Sequence, residues 1–199
     1  MIARLQGALE RADNPDRIFP LLALDSDDHA SITAARDLGI GPQHIAIGPR
    51  VSKVEAVNRG ITDFPMPWDI LVVISDDMVC VQQGWDIFIE QALAGDLDRC
   101  AHFSDGHQPD LCTLPIIGRT YYERFGYVYH TDYLSLWCDN EQTDVAVRDG
   151  KMVRRDIVLF RHDHPAWGSA KMDDLYRRND KHDKRDHATY IRRKVQGFP

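Results

Sequence analysis

Apolar positions along the chain alternate between helical and strand periods. Up to about Ala12, the apolar residues Ile2, Leu5 and Leu9 stand at helical spacing, and "ADNPD" then breaks the pattern. "RIFPLLALD" reads as a strand, with Pro20 placing it near an edge or distorting its start. "DHASITAARDLG" follows as a helix closed by Gly39, "HIAIG" as a short strand, and "SKVEAVNRGI" as a helix. Ser52 begins that helix, and Glu55 stands at the spacing of a capping box. The strongest strand is "WDILVVIS", where six of eight residues are apolar and four of those are β-branched. "GWDIFIEQALAG" is helical.

The second half is less regular. "AHFS" and "TLPIIG" read as strands, "RTYYERFG" as a short helix, "NEQTDVAVRDG" as another helix and "DIVLFRH" as a late strand. From Lys171 to the end the chain is rich in Arg, Lys, Asp and His and reads as one or two exposed helices. Strands alternating with helices predict an α/β fold, a single layered domain over residues 1–199 with a mostly parallel central sheet flanked by helices.

Composition narrows the function classes. A chain of 199 residues suffices for one domain with a substantial core. The formal charge of −7 argues against broad, sequence-independent binding to nucleic acid, which needs a cationic surface. No apolar run approaches the roughly 20 residues that span a bilayer, and the opening "MIARLQGALERAD" is charged where a signal peptide would be apolar. The expectation is a cytoplasmic protein. Four cysteines without a CxxC pair read as buried thiols in a reducing compartment.

The chemistry gathers where strands end in acids. Ligands of open α/β sheets collect beyond the carboxyl ends of the strands, and Asp76 and Asp77 stand at that end of the best strand. Carboxylate oxygens suit Mg²⁺ or Mn²⁺, which commonly bridge protein acids to substrate phosphates. The competing reading is a strand-terminating turn capped by Asp76. "LALDSDD" ends the earlier strand in the same way, although Asp27 or Asp28 there also suits a helix N-cap. His162 and His164 alternate by two after "DIVLF", so both can face one side.

Together these segments resemble the glycosyltransferase family 2-like proteins with the GT-A, or nucleotide-diphospho-sugar transferase, fold. The resemblance rests on "ADNPDRIFPLLALDSDD", "GPRVSKVEAVNRGI", "WDILVVISDDMVCVQQGWDIFIEQAL" and "FRHDHPAWG". It implies that Asp77 ligates the metal of a DxD-type site, that Asp76 contacts ribose, and that Asp25 recognises the base. Arg50 and Lys53 are implied contacts to base and ribose, and Asn58 is as well placed on a helix face. A late histidine often serves the same cation, and His164 is the preferred match, with His162 next. By this resemblance the family's usual opening strand is expected to be missing, since the chain starts at the helix that should follow it; either that start is internal to a longer protein or another segment fills the gap.

Inverting sugar transfer needs a carboxylate that takes the acceptor's proton, while the cation stabilises the departing diphosphate. "WCDNEQTDVAVRDG" supplies Asp139, then Asp144, with Glu141 between them. Asp139 and Gln142 also fit a capping box. Tyr129, Tyr133, Trp137 and Trp167 are acceptor-side aromatics or core. The expected activity is a metal-dependent glycosyltransferase using a nucleotide diphosphate sugar and Mn²⁺ or Mg²⁺, with an unspecified acceptor and room for self-association. Nucleotidyl transfer and a noncatalytic nucleotide-binding module are the alternatives.

Overall fold

A computed structural model describes residues 2–64, 66–169, 172 and 174–199 of the chain. The expected start of the charged tail, Lys171, lies outside them. The first half contains α1 (Ile2–Glu10), β1 (Leu22–Asp25), α2 (His29–Asp37), β2 (Ile45–Gly48), α3 (Lys53–Thr62), β3 (Ile70–Val72), β4 (Met78–Cys80) and α4 (Trp85–Leu93). The second half contains β5 (Cys100–Ser104), β6 (Ile116–Gly118), α5 (Arg119–Glu123), α6 (Cys138–Arg148), β7 (Met152–Val158), β8 (Phe160–His162), α7 (Asp174–Asp180) and α8 (Asp183–Val195).

Two predicted helix starts form as the sequence indicates. The Asp28 carboxylate accepts the Ser31 N–H, and the Ser52 hydroxyl accepts the Glu55 N–H, each at 3.1 Å. Each satisfies an amide that the first helical turn leaves without an intrahelical partner.

The mostly parallel central sheet is corrected. The strands form three sheets: β1–β2, a four-stranded sheet in the order β3–β6–β5–β7, and β4–β8. β1–β2 and β5–β7 are parallel, whereas β3–β6, β5–β6 and β4–β8 are antiparallel. The expected strand "DIVLFRH" also divides. The chain bends at fully buried Leu159, so its first part extends β7 beside β5 and its last part pairs with β4. β4 itself was not foreseen, since its three residues directly follow the acidic turn.

The inner part of the four-stranded sheet is covered on both faces, which explains the apolar runs of β3 and β6, whereas edge strand β7 carries exposed Arg154, Arg155 and Asp156 at its centre. Successive residues enter opposite clusters. Ile70, Val72, Ala101, Phe103 and Ile116 join α1 and α4, while Leu71, Val73, Cys100 and Ile117 join α3, α5, α6 and α8. Among the described residues β1 pairs only with β2 and β3 only with β6, leaving each one edge without a strand partner. α3 reaches toward both strands: a Cβ on Gly60 would lie 3.5 Å from Ala23 Cβ, and Val54, Val57 and Ile61 join the cluster of Leu71 and Val73.

The "GWD" segment is a clamp on α1. Gly84 adopts φ 67°, a left-handed conformation in which its N–H donates to Arg11 O at 2.7 Å. Trp85 Nε1 donates to Ala8 O, and the Asp86 carboxylate accepts the N–H groups of Asp13 and Asn14. The tail is also more than an exposed pair of helices. Asp186 of α8 is fully buried and accepts the N–H groups of Leu134, Ser135 and Leu136. Arg193 forms a two-pronged ion pair with buried Glu141 of α6. α8 thereby fixes the loop that leads into α6.

Candidate functional site

The turn after β3 carries the acidic pair and divides it. Asp76 is exposed, whereas the Asp77 side chain keeps 16% of its accessible surface. The β4–β8 register sets Met78 opposite His162, which brings His162 beside Asp77. His162 Nε2 lies 3.1 Å from Asp77 Oδ2, and the Tyr176 hydroxyl of α7 donates to the same oxygen at 2.7 Å. The other oxygen, Asp77 Oδ1, is buried and has no hydrogen-bond partner among the described residues.

Behind the histidine stands a second carboxylate. His162 Nδ1 lies 3.4 Å from Oδ2 of Asp105, which has no exposed side-chain surface. Asp105 also accepts the N–H groups of His107 and Gln108 and the Thr113 hydroxyl. Burial works to raise the Asp77 carboxyl, but hydrogen bonds from His162 and Tyr176 prevail and hold it down at about 2. Burial would likewise lower His162, yet Asp105 and Asp77 outweigh it and lift the imidazole to about 9. At neutral pH His162 is an imidazolium donating toward a carboxylate on each side.

His164 is adjacent but differently used. Its ring centroid is 5.2 Å from that of His162 and 4.7 Å from that of Tyr176. Burial, reinforced by the His162 charge, lowers its pKa. The neutral ring accepts the Ala166 N–H at Nδ1, 3.2 Å away, so its proton resides on Nε2. In this arrangement His164 caps the short turn Pro165–Trp167 and offers a donor.

The other expected residues fall into three groups. Lys53 lies with its ammonium 5.6 Å from the Tyr129 ring centroid. The residue is exposed at the start of α3. Asp25 and Arg50 meet at the carboxyl ends of β1 and β2, with Arg50 Nη1 3.0 Å from Asp25 Oδ2 and Nε 2.8 Å from Asp27 Oδ2. Asp144 belongs elsewhere, since its Oδ2 accepts Tyr190 Oη and Lys194 Nζ and so ties α6 to α8.

The capping box at Asp139 does not form. Trp137 holds the N-cap position of α6 at φ 64°, and the Asp139 carboxylate accepts the neighbouring Asn140 N–H. Asn58 is a strut, whose amide bonds Tyr129 O and the Val128 N–H. Tyr129 and Tyr133 are buried, and Trp137 packs against His187 and Tyr190. Trp167, stacked on His107, is exposed.

No protein-family model, curated protein or solved structure matches this chain. Nor do three or more His, Cys, Asp or Glu residues converge as a ready metal cage among the described residues. Asp77 alone supplies a carboxylate of the kind that holds Mg²⁺ or Mn²⁺ together with waters and substrate phosphates, and a neighbouring imidazole would add a nitrogen that favours a transition-metal ion such as Mn²⁺ over Mg²⁺. The partnerless, buried Asp77 Oδ1 fits such a cation.

Sequence reasoning passed over Asp105 and Tyr176. Asp105 carried a signal, because it directly follows the expected strand "AHFS" just as Asp76 and Asp77 follow theirs. Tyr176 carried none. No described helix is long and apolar enough to cross a membrane.

Proposed function

We propose that this chain is a metal-dependent glycosyltransferase that takes its sugar from a nucleotide diphosphate donor. One observation carries the reading: the buried, partnerless Asp77 Oδ1 stands beside the His162–His164 segment where the apolar strand β3 gives way to a turn. Asp77 and a histidine of that segment hold Mn²⁺ or Mg²⁺, whose chemistry is to neutralise the leaving diphosphate. Lys53 adds a positively charged contact to the donor. Asp139 takes the proton of the acceptor hydroxyl. Asp25 and Arg50 line the base-binding end, and exposed Asp76 meets the ribose.

A thermal-shift panel of nucleoside diphosphates with and without Mn²⁺ tests the reading. At a hundredfold excess over Kd, a ligand contributes about 2.7 kcal/mol, roughly 5–10 °C in Tm for a chain of this size. The expected result is a shift that needs both nucleotide and Mn²⁺. Product analysis follows: free nucleoside diphosphate supports glycosyl transfer, whereas pyrophosphate assigns nucleotidyl transfer instead. Absence of any Mn²⁺-dependent shift would overturn the cation assignment.

A further inference from the structure

We infer that Asp105 is a positioning residue that makes His162, rather than His164, the nitrogen ligand of the cation. This rests on the cation reading above and deepens it. The Asp105 carboxylate is fixed from several directions: Oδ1 accepts the His107 and Gln108 N–H groups at 2.8 and 2.7 Å, and Oδ2 accepts the Thr113 hydroxyl at 2.9 Å. The backbone ties the same two residues together, since the His162 N–H donates to Asp105 O at 2.9 Å.

With its remaining acceptor capacity, Asp105 Oδ2 faces His162 Nδ1. A carboxylate there holds a proton on Nδ1, so when a cation displaces the other proton of the imidazolium, Nε2 is the nitrogen that presents the lone pair. Nε2 is the atom that faces Asp77. Carboxylates behind metal-bound histidines act in this way, fixing both the tautomer and the ring orientation.

Asp77 Oδ2 already meets His162 Nε2 at 3.1 Å and accepts the Tyr176 hydroxyl, so the buried, partnerless Oδ1 of the same carboxylate is the oxygen open to the cation. His164 lacks the equivalent support. Its Nδ1 lone pair already serves the Ala166 N–H, and its Nε2 carries the proton. To ligate, His164 would have to surrender the cap of its own turn.

Asp105→Asn separates position from shape. The amide oxygen can still accept the His107 and Gln108 N–H groups, while the amide nitrogen confronts His162 Nδ1 with a donor. The neutral imidazole then keeps its proton on Nε2, away from the ligating role. Mn²⁺ titration of the full chain, read as free Mn²⁺ by electron paramagnetic resonance, gives the affinity without any activity assay. The expected result is a 10- to 100-fold loss in Asp105→Asn, at least as large a loss in His162→Ala, and wild-type affinity in His164→Ala.

Equal Mn²⁺ affinity in wild type and folded Asp105→Asn would overturn the inference and leave the cation reading standing. Loss of affinity in His164→Ala but not in His162→Ala would do the same. A wild-type chain that takes up no Mn²⁺ removes the cation reading and this inference together. If Asp105→Asn does not fold, ¹⁵N imidazole spectra of the Zn²⁺-loaded wild type decide the point. Ligation of His162 through Nε2 with the proton on Nδ1 is expected, and ligation through Nδ1, or an unaffected His162, overturns it.

Discussion

His162 Nε2 and Asp77 Oδ2 meet at 3.1 Å although 85 positions separate them in the chain. The contact joins β8 to the turn before β4, and it makes stability depend on pH in a defined direction. His162 has a folded-state pKa of about 9 against an ordinary 6.5, so its contribution is complete below about 6.5 and is lost as pH rises through about 9. Asp77 is depressed from 3.8 to about 2, so its contribution is present above 3.8 and is lost as pH falls through about 2. Metal-free wild type should therefore lose Tm between pH 6.5 and 9 more steeply than His162→Gln, which carries no titrating ring. Identical slopes for the two proteins, measured by calorimetry, would contradict the ion cluster.

Asp77→Ala should remain folded and lose the Mn²⁺-dependent part of nucleotide stabilisation. The removed carboxylate is the one with a buried, partnerless oxygen, and no other described acid is bonded to His162 Nε2. Asp76→Ala, at an exposed position, should weaken nucleotide binding and keep the Mn²⁺ response. Thermal shift with and without Mn²⁺ reads both. An unchanged Mn²⁺ response in Asp77→Ala would remove Asp77 from the cation site.

Asp139→Asn should keep nucleotide and Mn²⁺ binding while transfer falls about 100-fold or more. The amide oxygen still accepts the Asn140 N–H, so the start of α6 is preserved, but an amide cannot take up the acceptor's proton. Full transfer activity would exclude Asp139 as the base. Asp144→Asn should instead lower stability alone, because both of its hydrogen-bond partners belong to α8.

Asp186→Ala should destabilise the chain by about 3 kcal/mol, lowering Tm by roughly 6–12 °C at this size. Its carboxylate accepts the N–H groups of Leu134, Ser135 and Leu136 in a fully buried setting, and alanine leaves them without that acceptor. Denaturant unfolding checks the magnitude. A change below about 1 kcal/mol would mean that the loop finds other partners.

The amino-acid sequence by itself determined the elements that local physics decides. The period of apolar residues marked α1, α3 and α4, the β-branched run marked β3, and Asp28 and Ser52 announced the helix starts they cap. It also drew attention to Asp77, because an acid closing an apolar strand is visible one residue at a time. Tertiary structure decided which groups meet. The bend at Leu159 sends one apolar run into two sheets, and the pairing of Met78 with His162 then selects that histidine to face Asp77. Local pattern is blind to this choice, since His162 and His164 alternate by two and read alike in the sequence. They differ only in what lies behind each ring: Asp105 from the end of β5 behind His162, and the Ala166 N–H of its own turn at His164. The same holds for Asp139 and Asp144, which one helix carries to different partners, the Asn140 N–H for Asp139 and Tyr190 and Lys194 of α8 for Asp144. A side chain's charge is written in the sequence, but its partner is fixed by long-range packing that closes only when the sheets and their covering helices assemble.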